Sequence, residues 1–307
     1  MIIDCHCHAG IGDGLTGPWN TAAKLDKYVD HATRAGITHT VLFSCFHSDY
    51  RVANRLVAQI VRSQANRFWG FAFINCRRDR GRIERLVREA VCAFGFCGIK
   101  VHRADARITR EVCDVAARYQ LPILYDPMGE VSVVEMIATE YPKINFIIPH
   151  LSSFPDDWRA QHAFIGILTR RPNIYTDTSG VRWFDLIEEA VARAGLSKVL
   201  FGSDGPYLNP AVELAKIHAM RLPENAFRAV TSQNWLRLTH AARTRFTAIQ
   251  RQPLSISRFT PPPGCSTPLV RPTLARLGDW PPRAAAGLDR KRVTVALRDA
   301  DFRCRAQ

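Results

Sequence analysis

Two histidines stand two residues apart at the head of the chain, where Met-Ile-Ile-Asp-Cys-His-Cys-His places His6 and His8 behind an apolar start. That start reads as a strand, and in a strand residues i and i+2 point the same way. On this pattern Asp4, His6 and His8 share a face, while Cys5 and Cys7 turn to the other. Two imidazoles side by side at a strand end make half of a divalent-metal site. Further polar groups recur behind later apolar runs: Lys100 and His102 after Gly98-Ile99, Asp126 after Leu121–Tyr125, His150 after Phe146–Pro149, and Asp204 after Val199–Ser203. Asp177 ends another run, but its Thr and Ser neighbours favour local backbone bonding there. A charge behind an apolar run needs a reason to exist.

The chemistry that asks for this mix is metal-assisted catalysis. Zinc or manganese takes imidazole nitrogen and carboxylate oxygen, and a catalytic site keeps a position open for water whose pKa the metal lowers. The expected metal ligands are His6, His8, Asp126 and Asp204. Asp204, His150 and Lys100 are the expected catalytic groups: an acceptor for the proton and a cation or imidazole to steady a developing oxyanion. His102 and Arg103 are the expected substrate contacts, since an arginine at the mouth (Arg103 or Arg182) would clamp a carboxylate.

The elements that must position these groups repeat along residues 1–240. Apolar runs at residues 2–8, 38–45, 68–75, 98–103, 122–126, 145–150, 173–178 and 198–204 predict eight strands. Helical periodicity predicts helices at 21–35, 51–64, 82–94, 109–119, 131–140, 156–170, 184–194 and 210–220. Thr109 precedes one helix with Glu111 in its first turn, and Gly36 and Gly195 follow helical runs as terminating glycines. Eight alternating units suit an α/β fold of the (β/α)8 TIM-type barrel, whose active site lies at the C-terminal strand ends. An open doubly wound sheet competes, but no glycine-rich phosphate loop follows the first strand. The loop 9–20 carries Gly10, Gly12, Gly14 and Gly17 and reads either as a lid or as a plain connector. The segment His47–Tyr50 lies where it could line the mouth.

Residues 241–307 differ in kind. They hold eight prolines, with 13 Lys and Arg against 4 Asp and Glu, so +9 of the chain's net +14 sits there and +5 remains for the first 240 residues. The chain thus divides into a barrel at 1–240 and a basic Pro/Arg-rich tail at 241–307, expected to be disordered. The abrupt change also fits a frameshifted or otherwise non-native extension. A nucleic-acid-binding role through this tail is a third reading, disfavoured by its lack of aromatic interleaving. Nine scattered cysteines without a CxxC pair, no signal peptide and no run of about 20 apolar residues point to the cytoplasm and away from membranes.

Four motifs carry a family resemblance: Asp-Cys-His-Cys-His (4–8), Gly-Ile-Lys-Val-His (98–102), Ile-Pro-His-Leu-Ser (148–152) and Phe-Gly-Ser-Asp-Gly-Pro (201–206). With Asn-Trp-Leu-Arg-Leu (234–238) closing the domain, residues 1–240 resemble the amidohydrolase superfamily, in its amidohydrolase-related group that includes aminocarboxymuconate-semialdehyde decarboxylase-like enzymes. The resemblance implies a distorted β/α barrel binding one or two divalent metals, Zn2+ or Mn2+. It implies that His6 and His8 ligate metal and that Asp204 is a ligand or proton acceptor. It makes His150 a second-metal ligand in some branches and a catalytic assistant in others. Lys100 falls where binuclear branches carry a carbamylated lysine, and homodimers are common among such proteins. One departure stands out: the family usually ends its fifth strand in histidine, and here Asp126 is either a harder replacement ligand or the mark of a lost one. The leading expectation is a metal-dependent hydrolase acting on a small molecule. The alternative is a non-oxidative decarboxylase on the same scaffold.

Overall fold

Each of the eight apolar runs becomes a strand, and each strand hands the chain to a helix. The computed structural model describes residues 1–13, 22–154 and 157–248. Strand β1 spans Ile3–Ile11, pairs antiparallel with the two-residue β2 (Ala22–Ala23), and pairs parallel with β3 (His39–Ser44). The third apolar run is split at Phe71 into β4 (Phe68–Gly70) and β5 (Ala72–Phe73). There follow β6 (Ile99–His102), β7 (Ile123–Asp126), β8 (Phe146–Ile148), β9 (Ile174–Asp177) and β10 (Val199–Leu200). Two sheets result, in the orders β2-β1-β3-β4 and β10-β9-β8-β7-β6-β5, with every pair but β1·β2 parallel. Phe71 joins them at one side. At the other side β1 meets the segment after β10 through single backbone bonds, Cys5 N to Phe201 O at 3.0 Å and His8 N to Gly205 O at 2.6 Å. This is the (β/α)8 arrangement.

The helices are α1 (Asp26–Arg34), α2 (Tyr50–Ser63), α3 (Ile83–Phe94), α4 (Arg110–Tyr119), α5 (Val131–Glu140), α6 (Trp158–Arg170), α7 (Phe184–Ala194) and α8 (Pro210–Ala219). Each buries a stripe at helical spacing; α3 does so with Ile83, Leu86, Val87, Ala90, Val91 and Phe94. Gly36 ends α1 at φ +78°, a conformation that side chains with a Cβ resist. Thr109 occupies the N-cap position of α4 without a side-chain capping bond, and Glu111 accepts instead from the backbone N–H of Gly81. Helix α1 starts five residues later than periodicity indicated; Thr21, the expected first residue, is outside the described residues.

Regular structure does not stop at 240. Helices α9 (Glu224–Arg228) and α10 (Asn234–Leu238) are followed by α11 (His240–Phe246), which buries Ala242 and Phe246 in the main core. Ala242 and Phe246 follow Leu238 at successive four-residue steps and extend the face packed by Trp235 and Leu238. The expectation for the rest of the tail, from 249 on, falls outside the described residues, as do Gly14 and Gly17 of the glycine-bearing loop. His47–Tyr50 serves the fold: Asp49 caps α2 by accepting from Arg51 N, and buried Tyr50 donates to Asp105. Among the described residues no helix is long and apolar enough to cross a membrane.

Candidate metal centre

The C-terminal strand ends gather the polar groups as the barrel requires. His6 and His8 come from β1, Lys100 and His102 from β6, Asp126 from β7, Asp177 from β9, and His150 and Asp204 from the turns after β8 and β10. Of these, His6, His8 and Asp204 converge, with one ligating atom from each within 4.8 Å of the others and all three buried. Asp204 Oδ1 lies 3.4 Å from the Nε2 atoms of both histidines.

The partners of the other ring nitrogens decide what this cluster can hold. His6 Nδ1 lies 2.9 Å from Asp177 Oδ2, and His8 Nδ1 lies 3.0 Å from the carbonyl oxygen of Ser44. Only a protonated Nδ1 suits those acceptors, so each Nε2 presents a lone pair to the cluster. Burial, then the nearby Lys100, pushes His6 down to about 4; burial also lowers His8. Burial works to raise the Asp204 carboxyl, but the surrounding imidazoles of His8, His6 and His150, which attract its anion once they take up protons in acid, outweigh it and hold it at about 2, so it is ionised near neutral pH. Near neutral pH three lone-pair acceptors therefore face one another with no proton between them. A cation resolves that repulsion. Two imidazoles and a carboxylate fit a divalent transition ion and leave coordination positions open.

A second group sits beside the first. His102 Nδ1 accepts from Ala104 N at 3.1 Å, so its Nε2 carries the proton and donates to Asp126 Oδ2 at 3.2 Å. His150 Nδ1 donates to the Ser179 carbonyl at 2.6 Å, which leaves its Nε2 facing the same Asp126 oxygen at 3.7 Å. Burial would raise the Asp126 carboxyl, yet His102, then His150 and Lys100, hold it well below the usual carboxylate range. Lys100 is fully buried, its ammonium 4.9 Å from the centroid of the Phe43 ring, and among the described residues no acceptor bonds it. Burial lowers its pKa against the pull of Asp126, Asp204 and Asp177.

The backbone is bent to bring these groups in. His150, Leu151 and Ser152 have φ of +58°, +50° and +82°, and Asp204 has +54°. Left-handed geometry at non-glycine residues costs about 1–2 kcal/mol each and persists only where the surroundings enforce it. Gln161 does so for the first turn, its Nε2 donating to His150 O at 3.0 Å and Ser153 O at 2.9 Å.

Three residues lie elsewhere than the strand pattern placed them. Asp4 does not join His6 and His8. The β1–β3 register shifts between Asp4 and Cys7, a bulge that breaks the two-residue alternation, and Asp4 bonds Tyr28 and Ser203 instead. The same bulge separates Cys5, in one core cluster, from Cys7, in the other. Asp126 lies outside the three-residue cluster, because His102 and the backbone N–H of Met128 (2.8 Å) hold its carboxylate. Arg103 is tied to Glu130 at 2.8 Å, a carboxylate it shares with Arg107, and lines a groove of about 1040 Å³ that none of His6, His8, Lys100, His150 or Asp204 lines.

Asp177 does more than its local bonds. Its Oδ1 accepts from Ser179 N at 3.0 Å, as the Thr/Ser context suggested, while Oδ2 orients His6. Sequence reading passed over the aromatic walls. Tyr207 lies 5.2 Å from His8, Phe46 4.8 Å from His102 and Phe154 5.1 Å from His150, while Phe43 packs edge-on to both His6 and His8. Their only sequence signal was adjacency to strand ends.

Comparison with known proteins follows the same lines. Residues 3–238 match the family model described as Amidohydrolase. A search of curated proteins finds no match. Among solved structures the chain is similar to 5-carboxyvanillate decarboxylase from Sphingomonas paucimobilis (14% identity, TM-score 0.61, 78% of this chain and 98% of that one). It is also similar to 2,6-dihydroxybenzoate decarboxylase from Rhizobium (15%, TM-score 0.60, 78% and 99%). A third is the dihydroxybenzoic acid decarboxylase of Polaromonas sp. JS666, solved with manganese and the inhibitor 2-nitroresorcinol (17%, TM-score 0.61, 78% and 96%). At these identities the likeness is one of fold.

Proposed function

The chain belongs to the amidohydrolase family, and from that premise we propose that it is a divalent-metal-dependent, non-oxidative decarboxylase of a small, flat carboxylic acid. The observation that carries this reading is Lys100. A buried ammonium without an acceptor is costly, and one beside the His6–His8–Asp204 cluster is where an anionic substrate group would be received. Phe43, Phe46, Phe154 and Tyr207 supply faces and edges suited to an unsaturated ring. The fold shared with aromatic-acid decarboxylases supports the same reading by analogy.

His6, His8 and Asp204 would hold the cation, which when bound draws electron density from the substrate and neutralises negative charge. Lys100 binds and orients the carboxylate. The carbon–carbon bond to that carboxylate breaks, CO2 leaves, and the electron pair stays on the substrate carbon, which takes a proton. His150 delivers that proton from Nε2, because Nδ1 is committed to Ser179 O and Nε2 is the ring atom turned toward Asp126 and the site. His102 keeps Asp126 in place. The aromatic walls limit water around the reacting carbon.

The test is a product assay on manganese-loaded protein. Hydroxylated aromatic acids are compared with amides, esters and lactones of similar size, and CO2 is measured alongside hydrolytic products. CO2 release with one proton taken up per turnover is the expected result. Hydrolysis without CO2 overturns the proposal and restores the hydrolase reading.

A further inference from the structure

The seam between β1 and the segment after β10 runs through the middle of the metal cluster. His6 and His8 stand on one side and Asp204 on the other. No continuous ladder crosses it: β10 ends at Leu200, and beyond it the backbone links are the Cys5–Phe201 bond, the His8–Gly205 bond and a single bridge at Cys7–Gly205. Over the same residues β1 is bulged against β3, its neighbour on the other side. The two amides next in line, those of His6 and Ser203, are both taken by one side-chain oxygen. Asp4 Oδ1 accepts from His6 N at 3.1 Å and from Ser203 N at 2.9 Å. Its Oδ2 accepts from Tyr28 Oη at 2.7 Å and from Ser203 Oγ. Asp4 is fully buried, and its bonds go to His6 N, Tyr28 Oη and Ser203 N and Oγ rather than to the ligating atoms.

We propose that Asp4 is a positioning residue that stitches the seam and thereby sets the separation between the His6/His8 pair and Asp204. The proposal rests on the reading of the cluster as a cation site. One carboxylate oxygen of β1 holds both the amide of a ligand (His6) and the amide adjoining another (Asp204), so the segment after β10 cannot drift from β1 without breaking the Asp4–Ser203 bonds. Tyr28, from α1, fixes the carboxylate, and its hydroxyl lies 2.9 Å from Thr40 Oγ1, which anchors the arrangement to β3.

Two substitutions in the full chain test this. Asn at position 4 can still offer Oδ1 to both amides, while its Nδ2 donates to Ser203 Oγ and Tyr28 Oη, each able to accept. Ala cannot. Manganese titration is expected to give about 10- to 100-fold weaker affinity for D4A and a value within about threefold of wild type for D4N. In metal-free protein, hydrogen exchange at the His6 and Ser203 amides is expected to speed up by about tenfold or more in D4A, with the Cys5 and Phe201 amides unchanged and D4N like wild type. Unaltered exchange at those two amides overturns the proposal, as does wild-type affinity in D4A. Should D4A fail to fold, D4N decides: an isosteric variant that loses about tenfold or more in affinity shows that the charge, rather than the two acceptor bonds, matters, and overturns the stitch. Wild-type protein that takes up no manganese removes the cation reading alone, and the stitch is then judged by exchange.

Discussion

Asp177→Asn changes one atom's chemistry and keeps the shape, so its outcome isolates the tautomer of His6. Asp177 Oδ1 receives three donors: Ser179 N at 3.0 Å, Ser179 Oγ at 2.5 Å and His150 N at 3.4 Å. Oδ2 receives one, His6 Nδ1 at 2.9 Å. An amide has a single oxygen. If it faces His6, the amide N–H groups confront three donors, and each buried group left unsatisfied costs about 1–3 kcal/mol. The oxygen therefore takes the Oδ1 place, and the amide nitrogen faces His6. His6 must then accept at Nδ1 and carry its proton on Nε2, the atom turned to His8 and Asp204. A protonated Nε2 cannot bind a metal. Loss of one ligand from a three-donor set is expected to weaken manganese binding by about 100-fold, or roughly 2.7 kcal/mol, at the upper end of second-sphere substitutions. Fold stability should fall by about 1–3 kcal/mol, the value of hydrogen bonds to a charged acceptor. Titration of manganese into metal-free protein measures the first, and nitrogen-15 imidazole spectra report which ring nitrogen bears the proton. Affinity within about threefold of wild type, together with a proton still on His6 Nδ1, would refute the reasoning.

Three further outcomes are expected. His150→Gln should lower kcat for CO2 release by about 100- to 10,000-fold with little change in KM, as loss of a proton donor does; a raised KM at unchanged kcat would reassign His150 to binding. The folded-state pKa of His6, depressed from 6.5 to about 4, means that between those values the unfolded chain takes up a proton that the folded chain does not, so metal-free protein loses roughly 3 kcal/mol of stability on this account as pH falls through that window, with no further loss below it. Urea unfolding of H6Q should show a pH dependence shallower by that amount, and parallel curves for the two proteins would sink the assignment. Gly98→Ala would place a Cβ 2.3–2.6 Å from the buried Phe71 ring, so it should destabilise by about 1–3 kcal/mol in thermal melts without touching metal affinity; a neutral effect would show that the ring can shift.

How the site came to be readable follows from the kind of information each residue carries. His6, His8, His150 and Asp204 were legible because each polar group closes an apolar run, and a barrel brings such ends to one face whatever the loops do. Helix ends were legible where glycine must adopt a positive φ, as at Gly36. Pairings between distant segments were not. The choice of Ser179 rather than solvent for His150 Nδ1, and of Asp177 for His6, spans 29 and 171 residues of chain. Arg103 looked like a clamp until Glu130, 27 residues away, was seen to hold it. Amino-acid order alone determined the alternation of strand and helix, and with it the gathering of imidazoles and carboxylates at one rim, because hydrophobic periodicity is local. Tertiary structure alone decided which carboxylates do what. A single bulge in β1 turned Asp4 from its neighbours to the seam, and packing set Asp126 against His102 and His150, since register and contact are properties of segments meeting in space.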